Sequence, residues 1–270
     1  VSFPNVRGIS GQVLTTDGAG LTSWSTPSTG WGLTGNTGTV DGTNFMGTTD
    51  NVALTFRTNN IARTRITTKG QIETLNTGNS VFIGEGAGQN DDLTANNNVF
   101  VGFQSGQANT TGARNAFVGH QSGINNLTGL NNTAVGEASL FANSIGSSNT
   151  AIGQRAMVSN TASNNNVAIG LSALETQSFN NGGVAWNTNN TAIGSGALFS
   201  NQPTTTADAI NNTAVGVSGL RNNTTGRANS ALGVNSLLNT STGIRNTGIG
   251  LGAGTTNTSG GNNTFVGTGA

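Results

Sequence analysis

NNTAVG, at residues 131–136, decides how the rest of the chain is read. The same motif returns as NTAIG at 149–153, NVAIG at 166–170, NTAIG at 190–194, NTAVG at 212–216, NSALG at 229–233, NTGIG at 246–250 and NTFVG at 263–267. Ahead of it stand SVFIG at 80–84, NVFVG at 98–102 and NAFVG at 115–119. The eleven copies close on glycines 84, 102, 119, 136, 153, 170, 194, 216, 233, 250 and 267, at intervals of 18, 17, 17, 17, 17, 24, 22, 17, 17 and 17 residues. A fixed period of this size is the signature of a solenoid, in which each copy forms one coil and buries its apolar side chains against its neighbours.

With the closing glycine as position 0, position −1 is always a branched aliphatic residue and position −3 is often β-branched, both suited to a strand. Side chains on a strand alternate, so −1 and −3 share one face and −2 takes the other. Position −4 is Asn in ten of the eleven copies, Ser80 being the exception, and +7 is Asn in seven. Position −7 is Gly in six. The expected coil is a strand, a glycine corner with positive φ, a second short extended piece and an Asn-Thr-Gly turn. Its asparagines should stack into amide-to-amide ladders along the axis.

Positions −2 and +4 vary together. Phe82, Phe100 and Phe117 accompany Gly88, Gly106 and Gly123. Ala134, Ala151, Ala168, Ala192, Ala214 and Ala231 accompany Leu140, Met157, Leu174, Leu198, Leu220 and Leu237. Close-packed interiors tolerate exchanges that conserve volume, so the two positions should fill one shared space. The pair Gly248 and Gly254 breaks the rule, and Leu251 is the candidate to fill that gap. Since −1 and −2 are both apolar, the strand should be buried on both faces. One face belongs to the coil interior. The other calls for a second copy of the chain in cyclic symmetry, because a lone β-helix would leave an apolar stripe, expected along −2 and +4, in water.

N-[TSV]-A-[IV]-G-x-x-[AS] resembles the head repeat of the YadA-like trimeric autotransporter adhesins, whose repeat is usually shorter than this one. The longer form, N-T-A-[IV]-G-x-x-A-L-x-x-N-x-x-G, is similar to phage-tail-fibre-like proteins of Bacteroidetes that often end in a self-cleaving intramolecular chaperone. GQVLTTDGAGLTSWS at 11–25 and GTTDNVALTFRTNN at 47–60 resemble segments upstream of the repeats in those proteins. The resemblance implies a left-handed parallel β-roll or β-helix, a homotrimer, an extracellular place on a cell surface or tail-like particle, and a fibre or adhesin role with a surface glycan or protein receptor as partner. A chain that opens at Val1 and stops inside a repeat at Ala270 reads as a processed or excerpted piece of a longer protein.

The rest divides into an extended segment at 1–29 and a small β-meander module at 30–79, before the repeats at 80–270. GQVLTTDGAG at 11–20 offers one strand followed by an Asp-Gly turn. In the module, strands are expected at 51–57, 61–66 and 71–75, with turns at Asn59-Asn60 and Lys69-Gly70. Arg57, Arg63, Arg65 and Lys69 cluster there, either on a solvated strand face or as an anion site. The whole sequence has ten Lys and Arg, ten Asp and Glu and 7% charged residues, which gives no basic stripe for nucleic acid. It has no cysteine for disulfides or thiolate metal sites, and no apolar run long enough to span a membrane.

Residue types suited to chemistry are sparse, and the reading assigns no catalytic residue, metal ligand or cofactor. His120 is the one histidine, at the variable position +1. Asp91 and Asp92 lie in the slightly longer first turn and lack the oxygen-rich spacing of a calcium loop. A polysaccharide-degrading tail-spike shaft, with carboxylates drawn from distant turns, is the alternative function. Ice binding through the threonines at −3 is a second. The two long intervals insert residues at one corner of adjacent coils, where solenoids often build binding loops. The first holds Phe179, Val184 and Trp186, and the second runs from Pro203 to Ile210. These are the expected receptor-contact residues. Trp186 either stacks on a ligand or pins the loop to the solenoid.

Overall fold

The computed structural model describes residues 2–25, 35 and 37–270, and its regular structure is almost entirely β. These residues fall into two compact units, one drawn from residues up to Leu54 with Ile66–Gln71, the other from Thr55–Arg65 and Ile72–Ala270. The expected boundary at 29/30 lies outside the described residues.

In the first unit, β1 (Val13–Thr16) pairs antiparallel with β2 (Thr22–Ser25), from Val13 opposite Ser25 to Thr16 opposite Thr22. The sequence pattern indicated β1 and the turn but missed β2. The Asp17 carboxylate fixes the turn by accepting from the N–H of Ala19 at 2.8 Å and of Leu21 at 3.2 Å. The Trp24 indole N–H donates to the carbonyl of Val6 at 2.8 Å.

Three strands precede the coils: β3 (Leu54–Thr58), β4 (Ile61–Ile66) and β5 (Ile72–Thr74), in that spatial order. Asn59 and Asn60, both at positive φ, make the expected two-residue hairpin turn. The solenoid strands follow as β6 (Val81–Ile83), β7 (Val99–Val101), β8 (Ala116–Val118), β9 (Thr133–Val135), β10 (Thr150–Ile152), β11 (Ser163–Asn164), β12 (Val167–Ile169), β13 (Trp186–Asn187), β14 (Thr191–Ile193), β15 (Thr213–Val215), β16 (Ser230–Leu232), β17 (Thr247–Ile249) and β18 (Thr264–Val266). All but β11 and β13 form one eleven-stranded parallel sheet in chain order. Its register matches repeat to repeat: Ala151 lies opposite both Ala134 and Ala168. β11 and β13 make a separate parallel pair.

The interior is built from −2, +3 and +4. Phe100, Phe117, Ala134, Leu140, Ala168 and Leu174 are fully buried within the one chain. Complete burial of a side chain such as Leu or Phe stabilises by about 1.5–3 kcal/mol. The shared space is real: a Cβ on Gly88, Gly106 or Gly123 would lie 2.5–2.7 Å from the ring of Phe82, Phe100 or Phe117 in its own coil. Those rings stack from coil to coil, with centroids 5.2 and 5.0 Å apart. Two expectations need correction. The −2 and +4 row faces the coil's own interior rather than an exposed stripe. Leu251 is 55% exposed, and the space at Gly254 is filled by Leu237 from the preceding coil and Phe265 from the following one.

The turn backbone departs from the expected second extended piece. Positions +1 to +6 form successive turns, and non-glycine residues at −5, +2 and +4 adopt positive φ, among them Asn131, Gln121 and Leu140. The doublet that opens NNTAVG is thereby explained. Its first asparagine tolerates the left-handed region, and its second is buried in a ladder. The closing glycines take φ of 124–137° at a close approach, where a Cβ on Gly119 would lie 2.6 Å from the carbonyl oxygen of Gly136. At −7 glycine is needed for space alone: a Cβ on Gly129 would crowd the Gly146 carbonyl and the side chains of Asn126 and Asn143.

The asparagines form two ladders with different chemistry. At −4 the side-chain oxygen of each coil accepts the backbone N–H of the next, as from Asn115 to Asn98 at 2.9 Å and from Asn132 to Asn115 at 2.9 Å. The amide nitrogen donates to the −7 carbonyl, as from Asn132 to Gly146 at 2.8 Å. Asn76 and Ser80 begin this ladder by supplying the first two acceptors, at 3.0 and 2.9 Å. At +7 the ladder runs amide to amide, as expected, through Asn109, Asn126, Asn143 and Asn160 at 2.7–2.8 Å. The Asp91 carboxylate caps it by accepting from Asn98 and Asn109 at 2.9 and 2.8 Å. Gln177, one methylene longer, carries it across the first insertion by accepting from Asn201 at 2.9 Å. Thr240 interrupts it and leaves the buried Asn223 carbonyl oxygen without a partner among the described residues.

Candidate functional site

Because −2 points inward, −3 and −1 point away from the coil. Along this outward sheet face none of the eleven −1 side chains is buried: seven are exposed, up to 66% at Val266, and Val101, Ile169, Ile193 and Val215 are half-buried. The −3 row beside it holds Thr133, Thr150, Thr191, Thr213, Thr247 and Thr264, half-buried or exposed. Position +1, just past the corner, varies in character. It is polar at Glu85, His120, Glu137 and Gln154, but aliphatic and exposed at Leu171, Val217, Val234 and Leu251. A shallow groove of about 280 Å³ opens beside Val215, Leu232 and Ile249, where Ser230 and Gly248 replace larger residues. Sequence reasoning found the apolar rows but assigned the wrong one to the surface. The −2/+4 covariation pointed to the answer, since Phe82, Phe100 and Phe117 pack on Gly88, Gly106 and Gly123 of their own coils.

The insertion residues are placed differently from one another. Trp186 is only 7% exposed; β13 sets it opposite Ser163, and its ring meets Phe179 edge to face at 5.6 Å. Regular coils keep glycine at the equivalent corner, so the longer connection makes room for an indole that pins the loop down. Its N–H is buried without a partner among the described residues. Phe179 is half-buried and Pro203 is buried under the second loop, while Ile210 is half-buried. Of the five expected contact residues, Val184 is the one fully presented to solvent, at 62%. Asp208 folds the second loop back on itself, accepting from the hydroxyl of Thr204 at 2.7 Å. Burial pushes its carboxyl up, but hydrogen bonds from Thr204 and Thr205 outweigh that and hold it below the usual value.

His120 stacks on Phe103 at 5.4 Å as an exposed member of the +1 row. Gln154 donates to Glu137 at 2.8 Å in the same row. Glu175 pairs with Arg155 at 2.6 Å. Burial raises its carboxyl pKa, and the Arg155 and Ser172 hydrogen bonds with the nearby guanidinium charges bring it below the usual value. At Asp92 the Thr94 N–H lowers the pKa, and the Thr94 hydroxyl adds to it. Asp91 and Asp92 thus serve the first turn and the ladder cap. Among the described residues no three His, Cys, Asp or Glu side chains are grouped to hold a metal ion, and no helix is long and apolar enough to cross a membrane. Comparisons with protein-family models, with curated proteins and with solved structures found no match.

Proposed function

We propose that this chain is a structural and adhesive fibre segment, in which three copies pack their outward sheet faces around a common axis and present corner loops to a surface glycan or protein. One observation carries the reading: an unbroken aliphatic row at −1 lies on the outside of eleven consecutive strands. A long exposed apolar row is an interaction surface, and a second copy brings a row of equal length and spacing. Threefold display would also multiply weak loop contacts into avidity. Sedimentation at micromolar concentration tests the assembly. The expected particle contains three 27.0 kDa chains, and a monomer overturns the reading. For adhesion, shortening the connections at 178–187 and 203–210 to the regular length should abolish surface binding while the trimer persists.

The threonines at −3 favour a second reading. They stand on the outward face beside the aliphatic row, with Thr133 opposite Thr150 and Thr191 opposite Thr213, although Val167 separates the two pairs. Thermal hysteresis from a monomer that leaves this face open would select it. A trimer without hysteresis would eliminate it.

A further inference from the structure

A second concave site lies at the start of the coils, far along the sequence from both insertions. It is a cleft of about 380 Å³ lined by Ile61, Arg63, Leu75, Asn76, Thr77 and Leu93. Two local features build it. Ile61 and Arg63 stand two residues apart on β4 and so share a face. The first repeat interval is one residue longer than the regular 17, and within it Leu93 takes a positive φ of 57°. The Thr77 hydroxyl holds Leu93 in place by donating to its carbonyl at 3.0 Å.

The polar groups on the rim are nearly all engaged. Both atoms of the Asn76 amide are bonded to the Ser80 backbone, and the Thr77 hydroxyl is bonded to Leu93. Arg63 differs. Its Nε donates to the Thr58 hydroxyl at 3.0 Å, and its two terminal nitrogens have no partner among the described residues. The neighbouring Arg65 is paired with Glu73 at 2.5 Å, but no carboxylate is paired with Arg63 among the described residues. The cleft therefore offers the two terminal guanidinium nitrogens of Arg63 beside the walls of Ile61, Leu75 and Leu93, and hardly any other free polar partner. That combination suits an anion able to accept two parallel N–H bonds and carrying a hydrocarbon body. A sugar acid would bring hydroxyls that find no partner there.

We propose that this cleft binds a small carboxylate on an apolar body, with Arg63 taking the carboxylate and Ile61, Leu75 and Leu93 enclosing the hydrocarbon. The inference stands independently of the fibre reading. The full chain is titrated with sodium octanoate by calorimetry. Saturable binding of one octanoate per chain, in about the millimolar range expected for so small a ligand, is the supporting result. Octanamide and glucuronate should each bind at least about tenfold more weakly, because each lacks one half of the required chemistry. Arg63→Gln should weaken octanoate by a similar factor, whereas Arg57→Gln, outside the cleft, should leave it unchanged and serve as the control for folding and general charge. No saturable binding to the parent chain, equal binding of octanamide or glucuronate, or undiminished binding by Arg63→Gln would each overturn the proposal.

Discussion

Leu174 is buried with a φ of +53°, and Leu140, Met157, Leu198, Leu220 and Leu237 repeat that geometry at the same position in their coils. A left-handed backbone costs an L-residue about 1–2 kcal/mol, so each coil spends part of its packing energy on this turn. The side chain repays it at +4 by filling the core. At +2 the side chain faces away from the core, and Gly86, Gly196 and Gly252 already occupy that position with φ of 64–71°. Ala138, at φ +51°, sits in the same turn. Ala138→Gly should therefore raise stability by about 0.5–1 kcal/mol, the relief of strain exceeding the extra entropy glycine gives the unfolded chain. Urea unfolding should show a higher midpoint with an unchanged slope. The left-handed turns at +2 and +4 were signalled only in part, by Gly86, Gly196 and Gly252 at +2 and Gly88, Gly106 and Gly123 at +4, because the Gln, Arg, Ser and Leu of other copies carry no turn signal of their own. At −5 the signal was present in the recurrent asparagine but was masked by the neighbouring asparagine at −4, which serves a different purpose.

Within a coil, the unit of packing is the pair −2 and +4 together with the same pair above and below. The pair was readable because volume is conserved at a shared site and leaves a statistical trace in the sequence. Gly248 and Gly254 resisted that reading because their space is filled from adjacent coils, so no residue within their own repeat compensates. Trp186 resisted it too: an aromatic residue in an insertion has the same letters whether it faces a ligand or the solenoid. The packing rule makes a quantitative expectation. Ala168→Phe with Leu174 retained should overpack the layer and cost about 1–3 kcal/mol. Leu174→Ala should open a cavity and cost about 2–5 kcal/mol. Ala168→Phe combined with Leu174→Gly should recover much of either loss, both by restoring volume and by placing glycine at a positive φ. A coupling energy of about 0.5–3 kcal/mol in a double-mutant cycle would show it, and strict additivity would refute a shared layer.

Across the whole molecule, the fold is concentrated in repetition while the surface is not uniform. The period, the sheet and the class of interior were legible because the chain states them eleven times, once in each coil. The loops and the Arg63 cleft occur once each, so no internal comparison separates their functional residues from their structural ones. The outward −1 row is the surface that repetition makes largest. If it joins copies of the chain, one charge placed in it should be repeated around the symmetry axis and buried among like charges. Ile152→Lys, at a side chain 37% exposed in the single chain, should lower the assembly from trimer to monomer at micromolar concentration while circular dichroism stays unchanged. Thr161→Lys, on the exterior of the turn side, should leave it a trimer. Both variants sedimenting alike would separate this face from assembly.

The capped asparagine ladders should give the chain a preferred order of formation. A nascent chain leaves the ribosome with its amino end first, so Asn76 and Ser80 are available before the coils whose N–H groups they and their successors receive. Each finished coil then presents a ready row of acceptors to the one still being synthesised, in the manner of a seed crystal that grows from one end. The opposite end has no such head start, since every later coil needs its predecessor's asparagine. Replacing Asn76 and Ser80 by Ala should slow refolding in stopped-flow measurements, whereas Asn263→Ala should chiefly speed unfolding. Equal effects on the folding rate would mean that growth begins at several places at once.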